Sequence, residues 1–401
     1  MSFQLSNSML DQLVDFRHTI HRHPDLPGLE IGTANRVEAA LTALTPDRLV
    51  TGLGAWQEPD GSQWGGTGIA ALFEGEHPED GPTLLFRCEL DGLPISEQSE
   101  AAHRSAIDGQ AHSCGHDGHM AIMLGLAMRL ATNRPARGRV ILLFQPAEET
   151  GKGALAVAKD PAFQALKPDM AFALHNLPGL GLGTVWLKDG AMCCASRGMR
   201  IALEGKTSHA SLPQDGISPL DGVMRIVAGL KALSNGLDEG QQLDADFKLV
   251  TITHIEMGEA CFGVSPARAE IWVTLRTVTD DAMAGLVEAA HSLATETAKA
   301  EGLALTISED DVFDACTNAP ETTQMVRQAL EEEDIPHAHQ PDPMRFSEDF
   351  GIFGQSHPAT LFLLGAGKSH PQLHNPDYDF PDSLLSSGVQ IFERIIRQTL
   401  G

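Results

Sequence analysis

Short apolar runs that do not alternate with polar residues, each closed by turn residues and separated by stretches of helical periodicity, limit what this 401-residue chain can fold into. They are GIAALF (68–73), TLLFRCEL (83–90), VILLF (140–144), MAFAL (170–174) and TLFLLGAG (360–367). A strand that is apolar on both sides must be covered on both sides. The order strand, helix, strand therefore predicts an α/β body whose mixed, largely parallel sheet is covered by helices. Leu5, Met9, Leu13, Phe16 and Ile20 mark an opening amphipathic helix that ends before His23-Pro24. Further helices are expected from about His116 to Leu130 and from Ser383 to Gln398.

Around Gly190 the pattern changes. MRIALEG from Met199, LVTITHIE (249–256) and RAEIWVTLRT (268–277) read as strands, and the last alternates apolar with polar residues, as a sheet with one solvated face requires. Helices are expected from about Ser218 to Ser234 and from Asp280 to Ala300. A compact α+β unit inside a larger body reads as an insertion, with the main domain in two parts, 1–190 and 307–401, and the inserted domain at 191–306.

Charge narrows the range of partners. With 28 Lys and Arg against 54 Asp and Glu, the net charge is −26, and such a surface repels phosphate backbones and anionic headgroups. Nucleic-acid and membrane partners are not expected. The opening MSFQLSNSMLDQLVDFRH lacks a basic segment followed by an apolar one, and no apolar run approaches a membrane span, so a cytoplasmic location is expected. Six cysteines, two of them adjacent, are too few for a disulfide scaffold and read as reduced thiols.

Chemistry concentrates in two segments. In HSCGHDGH (112–119), Cys114, His116 and His119 converge where a helix begins. In VILLFQPAEETGKG, Glu148 and Glu149 follow directly on a strand too apolar to be exposed, and two adjacent buried carboxylates call for a cation. One would coordinate the cation and the other would stay free as a general base for a metal-bound water. His175 and His374 sit at strand ends, where α/β sheets build their sites. Cys114, His116, Glu149, His175 and His374 thus make five potential ligands, enough for two divalent ions. A nucleophilic Cys114 with His116 as base is a competing reading, but it leaves the Glu pair without a role.

With these motifs the chain resembles the dinuclear metallo-amidohydrolases of the aminoacylase and carboxypeptidase G metallopeptidase superfamily, in the branch of hippurate hydrolase, indoleacetyl-amino-acid hydrolase and N-acetyldiaminopimelate deacetylase. The resemblance runs in order through HRHPDLPGLE (21–30), LDGLPI (90–95), HSCGHDGH, FQPAEE (144–149), LHN (174–176), SHASLP (208–213), LRT (275–277), SEDF (347–350) and LHNPDYDF (373–380). It implies a zinc-peptidase-like catalytic domain carrying an inserted lid and dimerisation domain. It implies two divalent ions, zinc or manganese with cobalt a further option, bridged by Cys114, with His116 and His175 completing one site and Glu149 and His374 the other. Glu148 is implied as general base, Glu89 or Asp91 as groups behind the ligands, His209 as the stabiliser of the tetrahedral oxyanion, and Arg276 as the grip on a substrate carboxylate.

The activity implied is hydrolysis of the amide bond of a small N-acyl amino acid by a homodimer joined through the lid. A dipeptidase or carboxypeptidase of the same superfamily is the alternative, and a non-catalytic binding protein retaining the fold is the third reading. Four positions, in three segments, depart from the family pattern. Glu89 stands where Asp is usual, Thr207-Ser208 where Gly-Gly precedes the lid histidine, and Gly263 where Asn precedes the Val264 position. The metal chemistry is kept and the substrate contacts are altered, so neither the acyl group nor the amino acid is named by the sequence.

Overall fold

The computed structural model describes residues 5–236 and 243–401, and the chain forms two compact units. The first four residues, part of the stretch read for a targeting signal, lie outside the described residues. Among the described residues no helix is long and apolar enough to cross a membrane.

The first unit comprises Met1–Met192, Thr317–Pro341 and Asp349–Gly401. Its eight-stranded sheet runs in the order Arg48–Gln57, Gln63–Glu74, Arg139–Gln145, Thr83–Glu89, Met170–Pro178, Ala359–Gly367, Val185–Leu187, His337–His339. Thr83–Glu89 is parallel to both its neighbours, and Ala359–Gly367 is parallel to Met170–Pro178, so the centre of the sheet is the parallel part. Every residue of Thr83–Glu89 is buried, which is why its sequence does not alternate. The parallel strands end together, and the segments that leave those ends carry Asp91, Glu148 and Glu149, while His175 lies near the end of its own strand.

Helices Asn7–Arg22, His116–Thr132 and Leu384–Leu400 pack against one another over this sheet. Ser6 caps the first, its hydroxyl accepting the Met9 N–H at 3.2 Å. His116–Thr132 is buried on all sides through Ala127, so its apolar residues need no stripe. It starts at Gly115, where φ is 92° and a Cβ would run into Asn176. At Gly118 a Cβ would strike the ring of Phe380. The two glycines of CGHDGH let the ligand-bearing turn pack directly against its neighbours.

The second unit comprises Cys193–Cys316 and Asp342–Glu348. Its antiparallel sheet has the order Lys248–Met257, Arg268–Thr277, Ala195–Glu204, Ala304–Phe313. In Arg268–Thr277 the residues Ala269, Ile271, Val273 and Leu275 are buried under helices Leu220–Ala232 and Asp280–Glu301, while Trp272 and Arg268 are exposed. The long helix is capped by Thr279, carries Asp280 and Asp281 in its first turn, and stops at Gly302 with φ 67°. Ala304–Phe313, absent from the sequence expectation, extends the sheet past residue 306; its exposed residues alternate with half-buried Leu305 and Ile307, which pack on the core of this unit, and the acidic residues 309–311 break that alternation after only two apolar positions. Helix Ile31–Ala43 and strand Arg48–Gln57 are likewise additional to the sequence reading.

Candidate metal centre

Cys114, His116 and His175 bring their ligand atoms within 4.8 Å of one another, and so do Cys114, Glu149 and His374. The thiol is common to both groups. A third group of the same tightness, His116, Glu148 and Glu149, ties Glu148 to the cluster. Cys114 Sγ lies 3.4 Å from His175 Nε2, and His374 Nε2 lies 3.5 Å from Glu149 Oε1. Glu148 Oε2 is 3.9 Å from His116 Nε2.

Backbone carbonyls fix the imidazoles. His116 Nδ1–H donates to Asp91 O at 2.8 Å and His175 Nδ1–H donates to Asn176 O at 2.8 Å, which leaves each Nε2 with a lone pair facing the cluster. The His116 Nε2 and Glu149 Oε1 atoms are buried and have no hydrogen-bond partner among the described residues. Orphaned acceptors of this kind are costly unless a cation takes them.

Charge tells the same story. Burial opposes a proton on His116, yet hydrogen bonding to Asp91 and the charges of Glu89 and Glu149 prevail and push it up to about 10, so these carboxylates draw to Nε2 a positive charge that a metal ion would supply in place of the proton. His175 goes the other way, held neutral by burial and then by His119, at about 3. Burial, followed by Glu149 and Glu148, pushes the Cys114 thiol up. The pocket therefore has surplus negative charge and a thiol that becomes a thiolate only with a cation beside it. A donor set of thiol, imidazole and carboxylate suits zinc and its first-row neighbours, so the residues present fit two divalent ions.

Two non-glycine residues of the site have left-handed backbone, Ala147 with φ 50° and His374 with φ 64°. Such a conformation costs roughly 1–2 kcal/mol and persists only when its surroundings enforce it. His374 N–H is held by Ser113 O at 2.8 Å, which fastens its loop to the Cys114 segment. His374 is the one exposed member, at 51% of its side-chain surface, and lies at the rim.

Asp91 supports two of the five. Its backbone carbonyl orients His116, and its carboxylate accepts Glu149 N–H at 3.0 Å. Glu89 makes no hydrogen bond to any of the five among the described residues, although its carboxylate lies within 4.8 Å of His116 and His119. Its carboxylate pairs with Arg87 and accepts His119 Nδ1–H at 2.7 Å. Burial works against the Glu89 charge, but Arg87 and then His119 outweigh it and hold the carboxyl well below its usual range. His119 Nε2 in turn accepts Asn176 N–H at 3.2 Å, and Asn176 Nδ2 donates to Cys114 O at 2.7 Å. The added methylene of Glu89 thus serves a chain through His119 and Asn176 to the Cys114 backbone. Asn176 and Tyr378, which donates to Asn176 Oδ1, are site residues that the sequence reading did not single out, although both fall in its quoted motifs, while His119, read there with Cys114 and His116 at the helix start, was left out of the five ligands. Glu30, a fully buried carboxylate that burial and then Asp91 push up to about 7, also falls in a quoted motif.

His209 and Arg276 belong to the second unit. His209 is exposed and pairs with Val264, and its Nδ1 accepts Ser211 N–H at 3.1 Å. Arg276 donates from Nη1 to Arg345 O at 2.9 Å and to Ser347 Oγ at 3.1 Å. It has no acidic partner among the described residues, so its charge is uncommitted.

The profile of peptidase family M20/M25/M40 matches residues 85–398. The chain is similar to N-acetylcysteine deacetylase of Bacillus subtilis, 27% identical with 96% of each chain covered, and to N-acetyldiaminopimelate deacetylase of Anoxybacillus flavithermus, also 27% identical with 96% of each covered. Among solved structures it resembles the Bacillus subtilis YXEP protein, described as a dinuclear metal binding peptidase from the M20 family, with a TM-score of 0.77 at 24% identity over 98% of this chain and 99% of that one. A putative aminohydrolase from methicillin-resistant Staphylococcus aureus gives 0.82 at 24% identity over 98% and 97%.

Proposed function

The chain belongs to peptidase family M20/M25/M40, and from that membership and the geometry of its centre we propose that it hydrolyses the amide bond of small N-acyl amino acids. The observation that carries this reading is the pair of ligand groups sharing Cys114, with Glu148 beside them. Cys114, His116 and His175 would hold one divalent ion and Cys114, Glu149 and His374 the other. When bound, two such ions polarise an amide carbonyl and bring the pKa of water toward neutrality.

The rest of the chemistry belongs to the chain. Glu148 takes the proton of the attacking water and passes it to the departing amine. Asp91 keeps His116 and Glu149 in place, and the His119 to Asn176 link steadies the Cys114 turn. His209 donates to the oxyanion of the tetrahedral intermediate. Arg276 grips the α-carboxylate of the substrate, for which its unpaired guanidinium is suited. Zinc or manganese is the proposed metal. The working form is a homodimer, a reading supported by the exposed edge strand Lys248–Met257, and its six free cysteines suit the reducing cytoplasm.

A panel of N-acetyl, N-benzoyl and indoleacetyl amino acids and dipeptides, each assayed with Mn²⁺ and with Zn²⁺, tests the reading. At least one N-acyl amino acid is expected to be cleaved with kcat/KM about tenfold or more above every dipeptide. Dipeptides alone as substrates would replace the reading with a peptidase. In Arg276→Ala, KM for a free-carboxylate substrate rises roughly 10- to 100-fold, the worth of a charged hydrogen bond, while the matching α-carboxamide is unaffected. Equal losses on both would remove Arg276 from the substrate contact.

A further inference from the structure

We propose that Glu30 is a positioning residue for the general base, holding the turn that carries Glu148 in its left-handed conformation. The inference rests on Glu148 being the base. Glu30 is fully buried, and its carboxylate collects three donors: Gly28 N–H at 2.6 Å and Ala147 N–H at 2.9 Å on Oε1, and the Thr67 hydroxyl at 2.6 Å on Oε2. Ala147 is the left-handed residue directly before Glu148. The amide on the other side, Glu149 N–H, goes to the buried Asp91. Glu148 therefore lies between two backbone amides, each held by a different buried carboxylate.

Nothing in its own helix accounts for this arrangement. Glu30 occupies the N-cap position of Ile31–Ala43 but makes no side-chain capping bond there. Its oxygens instead reach a residue 117 positions away in sequence. The base of the receptor is itself fixed, since Gly65 N–H donates to Gly28 O at 3.0 Å and joins the Glu30 loop to the strand that carries Thr67. An alanine with positive φ needs such an external hold, because on its own it relaxes to negative φ and carries the next side chain away. Displacing a proton-transfer group by about 1 Å costs on the order of 100-fold in rate.

The test uses the full-length, metal-loaded protein. In Glu30→Ala, kcat falls about 30- to 100-fold, while KM stays within about threefold and the metal content is that of the parent. Glu30→Gln keeps an oxygen for the Gly28 and Ala147 amides and restores kcat to within about fivefold of the parent. Glu30→Asp keeps the buried carboxyl group but withdraws its oxygens by one methylene, and it loses about tenfold, a milder variant that serves if the alanine does not fold. Glu30→Ala or, where only it folds, Glu30→Asp with parental kcat overturns the proposal, as does a loss of metal and fold shared equally by Glu30→Gln. If the parent cleaves no substrate in the panel, the activity reading fails first, and a crystal structure of the variant decides the positioning: Ala147 relaxed to negative φ supports it, and an unchanged turn overturns it.

Discussion

Glu148→Gln is expected to keep both divalent ions and lose about a thousandfold in kcat, with KM little changed. Glutamine preserves the volume and one acceptor oxygen but cannot take a proton from water, and a positioned general base is worth roughly 10²- to 10⁴-fold. The metals stay because neither group built on Cys114 includes Glu148. Its neighbours His116 Nε2 and Glu149 Oε1 keep their lone pairs for coordination. Metal content by elemental analysis and hydrolysis of the best panel substrate read the two halves of the expectation separately. A fully active Glu148→Gln would remove the base from the scheme, and loss of both ions would make Glu148 a ligand.

Cys114→Ser is expected to be more damaging than any histidine substitution in the centre. The thiol belongs to both groups, so its loss withdraws a donor from two ions at once, whereas His175→Ala takes a donor from one. Serine does not ionise as a thiolate does and cannot replace the soft, charged ligand. Bound metal should drop from two ions per chain to well under one, and kcat should fall by about a thousandfold or more. Stability follows. At metal concentrations about a thousand times Kd, binding stabilises the folded state by about 4 kcal/mol, and this increment should vanish in Cys114→Ser while it is only partly lost in His175→Ala. Thermal unfolding with and without chelator measures it. Equal metal loss in the two variants would contradict a shared thiol.

Much of this centre was legible in the sequence because its ligands sit beside elements with strong signals. The unalternated strand VILLF placed the Glu pair at a buried strand end, and CGHDGH marked the start of a buried helix. What could not be read was which polar groups meet across the fold. Glu30 and Ala147 are brought together by tertiary packing alone, and the preference of alanine gives no hint of a left-handed φ. Glu89 was expected behind the ligands, and the partner its longer side chain reaches, His119, could not be read from the sequence. In the second unit, Arg268–Thr277 was legible from its alternation and Ala304–Phe313 was not, because its apolar alternation covers only Leu305 and Ile307 before the acidic residues 309–311 break it. The acidic balance of −26 adds meaning to Arg276, a cation without an acidic partner among the described residues of a chain rich in acids.

A dinuclear centre built on one shared thiol is visible to anomalous scattering from crystals of the Zn²⁺- or Mn²⁺-loaded protein. Two peaks are expected, one coordinated by Cys114, His116 and His175 and one by Cys114, Glu149 and His374. A single peak, or two peaks of which either lacks Cys114, would contradict that centre.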